Sequence, residues 1–433
     1  MNKKILNLAI PNIISNLSIP LLSSVDTAVV GHLDKVSYLG AIALGTMIFN
    51  FIYWGFGFLR MGTTGLTAQA LGRKDEHQII LTLARAVAFA VIFAVTIFVL
   101  QNFISYAAFY LINATPEVEL YAKAYFDIRI YAAPATLALY GFHGWFLGMQ
   151  NSKYPLILAV VVNLLNIFFN LLFIYYFDMK TEGVALGTVC AQYLGLILAV
   201  VLYLKKYSQY NSFFNINHVF EINALKIFFK VNSDIFIRTL GLIFVFSYFT
   251  AVSAEFGEDI LAVNTILLQL WMILAYGVDG FAFAAESLVG KYFGARNHSK
   301  LKEVVKLSFI WGTILGIILS AIYWILGESI LRVYTDKQDL IELSKQFFIW
   351  TIIAPLVNGI CFIWDGVFIG ATATKAMRNS MIFSIAVFFI IFLTTKSELG
   401  NNGLWFAMTA FMILRGITLS LYANKYIFNP VKT

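Results

Sequence analysis

Long apolar segments dominate this 433-residue sequence. A helix that spans a bilayer needs about 20 mostly apolar residues. Twelve runs of that kind can be read along the chain, at 5–32, 39–71, 79–112, 118–149, 154–177, 183–204, 223–254, 260–292, 303–333, 340–371, 377–395 and 402–427. Hydrophobic residues make up 60% of the chain and charged residues 12%, whereas soluble domains have roughly 45–50% and ~25%. We therefore predict an all-α integral membrane protein with twelve transmembrane helices.

The basic residues predict the orientation of these helices. The formal net charge is +7, and most Lys and Arg residues lie in the polar connections on one side if the N-terminus is cytoplasmic. Lys and Arg are enriched in cytoplasmic loops of membrane proteins. We therefore expect both termini to be cytoplasmic in a multi-pass protein of the cell (inner) membrane, and we interpret the positive charge as a topology signal rather than as a nucleic-acid site.

An internal repeat divides the chain. Aligned with itself, the sequence places Gly72-Arg73-Lys74-Asp75 on Gly294-Ala295-Arg296-Asn297, and Gly144 and Gly148 on Gly366 and Gly370. The longest polar stretch lies between the sixth and seventh runs, so we predict an N-terminal lobe at 1–210 and a C-terminal lobe at 211–433. Six helices per half give both halves the same orientation, and parallel repeats of this kind hold substrate between the halves. Chance similarity of apolar segments is the alternative.

The first apolar run carries a polar stripe with one carboxylate. At helical spacing, one face collects Asn12, Ser15, Asn16, Ser23, Asp26 and Thr27. An ionisable residue inside the bilayer costs about 2.5–3.5 kcal/mol on insertion scales and indicates function by default. We predict that Asp26 takes up and releases the coupling ion, H⁺ or Na⁺; a neutral, hydrogen-bonded Asp is the alternative. Pro11 and Pro20 each remove a backbone donor and permit a hinge.

Polar residues of the fifth and sixth runs could complete this site. Asn163, Asn166 and Asn170 share one helical face, and Thr188 follows in the next run. Their oxygens suit a hard cation or could accept a hydrogen bond from Asp26. Amide hydrogen bonds that only join helices are an equal alternative.

A second set of polar and aromatic residues forms a candidate substrate cavity. Asp279 and Glu286 share a face of the eighth run, where Glu286 is expected in a structural ion pair, and Asp365 lies in the tenth; Asp234 and Arg238, four residues apart, predict an ion pair within one helix. Aromatic faces attract organic cations, so the cavity set comprises Asn163, Tyr53, Trp54, Tyr140, Trp271, Tyr276, Asp279 and Asp365. For Asp279 and Asp365, functional and structural roles are equally supported, and each aromatic residue alone could be a core or lipid-facing side chain.

Four segments resemble the multidrug and toxic compound extrusion (MATE) family, and within it the branch typified by DNA-damage-inducible protein F. They are residues 25–33 (VDTAVVGHL), 56–70 (FGFLRMGTTGLTAQA), 144–151 (GWFLGMQN) and 364–371 (WDGVFIGA). The resemblance runs over nearly the whole chain. It implies two six-helix lobes around a central cavity and a drug/cation antiporter whose coupling residue matches Asp26, with Asn166 and Thr188 matching polar partners.

One departure from that pattern bears on the coupling ion. The family has an Asp four residues after the matched Asn, and here the position is Asn170. The missing carboxylate favours H⁺ over Na⁺, and we expect neither a cofactor nor a firmly bound metal. The expected partners are small-molecule drugs or dyes and the lipid bilayer, and the expected state is a monomer.

Two other functions are alternatives. The first is a lipid-linked oligosaccharide or lipid flippase of the same superfamily; its cavity should be basic, whereas Asp26, Asp279 and Asp365 are acidic. The second is a membrane-embedded enzyme, which needs a His/Asp/Glu or Ser/His cluster at helical spacing, and the sequence has none. The sequence therefore favours export of organic compounds by H⁺ or Na⁺ antiport.

Overall fold

A computed structural model describes the backbone of residues 1–31, 35–111 and 114–429, and the side chains of the same residues except 19–30. Within these ranges the regular elements are all helical, which confirms the predicted class. The first half contains α1 (Asn2–Gly31), α2 (Val36–Gly55), α3 (Phe58–Arg73), α4 (Glu76–Val99), α5 (Gln101–Leu111), α6 (Pro116–Arg129), α7 (Ala133–Gly148), α8 (Lys153–Leu171) and α9 (Thr181–Tyr207). The second half contains α10 (Ile222–Glu255), α11 (Glu258–Gly294), α12 (His298–Tyr334), α13 (Gln338–Gly370), α14 (Thr374–Leu399) and α15 (Asn401–Ala423).

Each predicted run coincides with helical structure. Ten stretches of the described chain are long and apolar enough to cross a membrane. The other two predicted runs correspond to α1 and to α6 with α7, which are joined by a 3₁₀ turn at Ile130–Ala132. Two runs are interrupted: Phe56 and Gly57 separate α2 from α3, and Leu100 separates α4 from α5.

The helices pack into two compact units. Unit 1 comprises Met1–Ile13, Gly72–Lys74 and Phe228–Thr433, and unit 2 comprises Ile14–Leu71 and Asp75–Ile227. The start of α1 therefore packs in unit 1, where Gly280 touches the backbone of Ala9 so closely that an added Cβ would lie 2.8 Å from its carbonyl oxygen. This division differs from a single cut between 210 and 211, and the bounds of the lobes stay a prediction.

Glycines bring helices together in the same way in both units. In unit 2, a Cβ on Gly144 would lie 2.3 Å from the carbonyl oxygen of Arg60. In unit 1, a Cβ on Gly366 would lie 2.2 Å from the carbonyl oxygen of Ala282. Small residues allow such close backbone approach in membrane helix pairs. Because these glycines are aligned by the internal repeat, the same packing of α3 on α7 and of α11 on α13 confirms that repeat.

The turns of the repeat match as well. Lys74 and Arg296 both have positive φ, at 58° and 53°. The next residue caps the following helix in each case: the side chain of Asp75 accepts a hydrogen bond from the amide of Gln78 at 3.0 Å, and that of Asn297 accepts one from the amide of Lys300 at 3.1 Å. Side-chain oxygens at this position satisfy amide groups that lack partners within the helix.

The connection between α9 and α10 is attached to unit 2. The guanidinium of Arg85, on α4, donates to the carbonyl oxygens of Val219 at 2.9 Å and His218 at 2.8 Å, and to Gln78 Oε1 at 3.1 Å. Arg85 is buried, and so is Val219. An arginine can satisfy several acceptors at once because its donors form a planar fork.

Candidate functional site

The predicted coupling helix is continuous, but its key side chains lie outside the described residues. The backbone of α1 is helical from Asn2 to Gly31, and Asp26, Pro20, Ser23 and Thr27 belong to the part without described side chains. Asn12 is buried, and its Nδ2 donates to the carbonyl oxygen of Leu8 at 2.8 Å. The amide of Asn12 is therefore bonded within its own helix.

The asparagines of α8 form a connected polar row in unit 2. Asn163 Nδ2 donates to Ser18 Oγ on α1 at 3.1 Å. Asn166 Nδ2 donates to Thr188 Oγ1 on α9 at 3.0 Å, and Asn170 Nδ2 donates to Asn166 Oδ1 at 3.2 Å. We call Asn163, Asn166 and Asn170 the asparagine row. It joins α1, α8 and α9 through side-chain hydrogen bonds.

The row is tightly enclosed at Asn170. A Cβ on Gly187 would lie 2.2 Å from Asn170 Oδ1 and 3.1 Å from the Asn170 backbone nitrogen, so a larger residue at this point of α9 would require the Asn170 amide to move. Asn166 and Asn170 are 4% and 1% exposed, and Thr188 donates on to the carbonyl oxygen of Val184 at 3.1 Å. Hydrogen bonds that fix buried amides also fix the directions in which their remaining polar atoms point.

The aromatic residues proposed for the cavity differ in exposure. Tyr53 is buried and stacks on Phe49, with ring centroids 5.7 Å apart. The guanidinium of Arg129 lies over the same Phe49 ring at 5.4 Å. Trp54 is exposed and Tyr140 half-buried. All three residues belong to unit 2. Tyr53 packs on Phe49, whose ring is also in contact with the guanidinium of Arg129.

In unit 1 the proposed cavity residues separate into two groups. Trp271 is buried, with its ring 5.9 Å from Phe246 and 6.3 Å from Trp405. This environment favours a core role for Trp271. Tyr276 and Asp279, further along α11, are half-buried. Because they are three residues apart on one helix, their side chains share a face.

Asp365 lies in a buried cluster with two arginines. Its Oδ2 accepts hydrogen bonds from Arg238 on α10 and from Arg415 on α15, the latter at 2.7 Å. The predicted pair between Asp234 and Arg238 is wrong, because Asp234 instead binds Arg378 at 2.7 Å. Helical spacing favours a pair between these two residues. Each instead forms an ion pair with a residue of another helix, Asp234 with Arg378 and Arg238 with Asp365. This geometry favours the structural role for Asp365.

The sequence reasoning missed a second buried network in unit 1. Asn264 and Asn401 exchange hydrogen bonds at 2.7 and 3.1 Å. Asn264 also donates to Ser253 at 2.7 Å and accepts from the indole of Trp405 at 2.8 Å. The available signal was one asparagine inside the eighth apolar run and another directly before the last run. Such amides are polar contacts that join helices in a bilayer.

No group of three or more His, Cys, Asp or Glu with metal-binding geometry occurs among the side chains that the structure describes. Cys190 and Cys361 are free thiols.

Comparison with known proteins agrees with this architecture. The MatE family model matches residues 11–172 and 235–395, one region in each half. DNA damage-inducible protein F of Escherichia coli K12 is 36% identical over 98% of this chain and 92% of its own length. The probable multidrug resistance protein NorM of Thermotoga maritima is 23% identical over 97% of this chain and 91% of its own.

Solved structures share the fold. An outward-facing multidrug resistance MATE family transporter of the MOP superfamily matches with a TM-score of 0.83 and 19% identity, covering 98% of this chain and 95% of its own. The Vibrio cholerae MATE transporter VcmN in its bent form matches with a TM-score of 0.86 and 18% identity, covering 98% of this chain and 96% of its own. These likenesses show an all-helical fold of two related six-helix lobes.

Proposed function

Because the chain belongs to the MatE family, we propose that it is a secondary active transporter that exports organic, cationic or amphipathic compounds in exchange for H⁺ or Na⁺. Relatives such as NorM, a probable multidrug resistance protein of Thermotoga maritima, support this class of function. In this proposal the protein works as a monomer in the inner membrane, with lobes at 1–210 and 211–433.

The register of α1 against α8 supports Asp26 as the coupling residue. The contact between Ser18 and Asn163 aligns the two helices. In the predicted topology the first and fifth spans run in the same direction, so positions that follow these two residues stay level at ~1.5 Å per residue. Asp26 comes eight residues after Ser18, and Asn170 comes seven after Asn163. The Asp26 backbone is therefore level with the enclosed end of the asparagine row.

Coupling in this site would act through the charge of Asp26. A carboxylate among buried neutral amides is costly in its charged form, so protonation or cation binding relieves the cost. An ion shifts the equilibrium between two conformations only to the extent that it binds one of them more tightly than the other. We propose that Asp26 binds H⁺ more tightly in the state that releases substrate, and that the lobes alternate access as it does. Asn170, which replaces the carboxylate of the family pattern, favours H⁺ over Na⁺.

Two regions remain proposals for substrate contact. In unit 2, the ring of Tyr53 could accept an organic cation; Trp54 is the next residue of α2, and Tyr140 lies on α7. In unit 1, the half-buried pair Tyr276 and Asp279 combines a ring with a negative charge. Acidic and aromatic lining suits cationic compounds and disfavours the pyrophosphate of a lipid-linked sugar.

The test of this proposal is the variant Asp26→Asn, which keeps size and polarity but cannot ionise. We expect drug resistance of cells that express the variant to fall to that of cells without the transporter, at equal amounts of folded protein in the membrane. Asp127→Asn is the matched control, because Asp127 is an exposed carboxylate of the same unit and its loss should leave resistance unchanged. Full resistance in Asp26→Asn cells would refute the role.

A further inference from the structure

Six basic residues of unit 1 lie at or next to the ends of four helices, α1, α3, α11 and α12. The end of α3 touches the end of α11 directly, since a Cβ on Gly72 would lie 2.0 Å from the carbonyl oxygen of Lys291. This contact brings the two residues after Gly72 beside the last turn of α11. The basic cluster comprises Lys4, Arg73, Lys74, Lys291, Arg296 and Lys300.

Two lysines of the cluster repel a third, Lys291. Lys291 is half-buried, and the charges of Lys4 and Lys300 both act on its ammonium group. The Lys300 ammonium lies over the ring of Tyr292, 5.8 Å from its centre. Lys4 and Lys300 form no ion pair with any carboxylate in the described part of the chain. Like charges held together destabilise one another unless an anion lies between them.

The surroundings of the cluster are those of a bilayer interface. The indole of Trp311, on α12, donates to Asn2 Oδ1 at 3.1 Å, beside the cluster's Lys4 in sequence. Tryptophan is enriched at membrane–water interfaces. Next to Trp311, α12 exposes Ile310, Ile314 and Ile317. Because these residues are four and three positions apart, they share one face of the helix. A cationic site thus adjoins an apolar face suited to acyl chains.

We propose that the basic cluster binds the phosphate of an anionic phospholipid, whose acyl chains lie along the exposed face of α12. The positive-inside rule explains why basic residues are on one side of the membrane. It does not require them to converge around a half-buried lysine and a tyrosine ring. Basic pockets between transmembrane helices bind anionic head groups through such convergence.

Lipid binding to the full-length chain in detergent tests the proposal. The protein is incubated with phosphatidylglycerol or phosphatidylcholine of identical acyl chains, and bound lipid is counted by native mass spectrometry. We expect clear preference for phosphatidylglycerol. Replacing Lys4, Lys291 and Lys300 together by Gln should weaken phosphatidylglycerol binding on the order of 100-fold, since each lysine near a membrane contributes about fivefold. Replacing the same three by Arg should retain it.

A matched variant controls for loss of charge alone. Lys205→Gln, Lys226→Gln and Lys230→Gln together remove three exposed lysines outside the cluster and should leave binding unchanged. Equal binding of both lipids, unchanged binding in the cluster variant, or an equal loss in the control would overturn the proposal. Displacement of the lipid by the same concentration of glycerol phosphate would also overturn it, because the site would then bind free phosphate. None of these outcomes depends on drug export.

Discussion

Asp365 carries a negative charge that two buried guanidinium groups share. Its side chain accepts from Arg238 and from Arg415, and Arg415 is only 1% exposed. Removing one member of a buried ion pair leaves an uncompensated charge, which typically costs about 3–5 kcal/mol. The ion pairs of Asp365 with Arg238 and Arg415 therefore stabilise the packing of α10, α13 and α15 within unit 1 when all three residues are present.

The variant Asp365→Asn tests this role. We expect the free energy of unfolding to fall by about 3–5 kcal/mol, seen as a large drop in melting temperature in detergent. Glu255→Gln is the control, because Glu255 forms an exposed pair with Lys396 and its loss should leave the melting temperature unchanged. If Asp365→Asn melts like the wild type yet exports no drug, Asp365 instead contacts substrate.

At the scale of single residues, the sequence predicts which charged side chains lie at membrane depth but not which residues they pair with. An acid at membrane depth, such as Asp365, can be recognised from its apolar neighbours alone. Its arginines lie 127 and 50 residues away along the chain, and helical periodicity relates only residues of one helix. The prediction of a pair between Asp234 and Arg238 is wrong for that reason. The proximity of Asn166 and Thr188 could be predicted, because both positions match polar partners of the same site in the family resemblance.

At the scale of helices, glycine sets the distance between neighbours. A methyl group on Gly144 or Gly366 would meet a backbone carbonyl oxygen at 2.3 or 2.2 Å, and backbone cannot move aside as a flexible side chain does. We expect Gly144→Ala and Gly366→Ala each to destabilise the protein by about 1–3 kcal/mol, the usual cost of overpacking. Melting temperatures in detergent measure this.

Gly416→Ala is the matched control for these two variants. A Cβ on Gly416 would lie 3.4 Å from Ile360 Cγ2, close to ordinary contact, and alanine favours the helix more than glycine does. Its melting temperature should be equal to or above that of the wild type. A loss confined to one of the two repeat-related glycines would contradict the equivalence of the packing in the two halves.

Arg85 fixes the connection between α9 and α10. Replacement by Gln removes the fork that binds the carbonyl oxygens of Val219 and His218. We expect faster hydrogen exchange at 214–221 in Arg85→Gln, with the exchange of α9 unchanged. Lys205→Gln, a change of an exposed residue before the same connection, is the control. Exchange at 214–221 equal to that of the wild type would show that Arg85 does not hold this segment.

Run length predicts the helices well because a bilayer sets a minimum apolar length. Breaks inside the runs are harder to predict. The repeat aligns Ala133-Pro134 with Ala354-Pro355, yet the chain forms a 3₁₀ turn before Pro134 and remains helical through Pro355. Proline is tolerated in a membrane helix where neighbours satisfy the freed backbone groups. That depends on the packing of α12 on α13, which local sequence does not encode.

At the scale of the whole molecule, the two compact units share the glycine contacts and turns of the repeat, and their buried polar groups differ. The asparagine row occurs in unit 2, whereas unit 1 has the Asp365 cluster and the network around Asn264. The proposed ion site in one unit and the buried charge pairs in the other suit the proposed transporter, in which one lobe responds to the coupling ion. For the proposed site, the family resemblance predicts Asp26, Asn166 and Thr188, and the polar stripe of the first apolar run points to Asp26 independently.

The most direct test of proton coupling is efflux of a fluorescent organic cation from proteoliposomes in which pH and Na⁺ gradients are imposed separately. The account predicts that a proton gradient alone drives transport by the wild type, that a Na⁺ gradient alone drives much less, and that Asp26→Asn responds to neither. Transport by Asp26→Asn at the wild-type rate under a proton gradient would contradict the account.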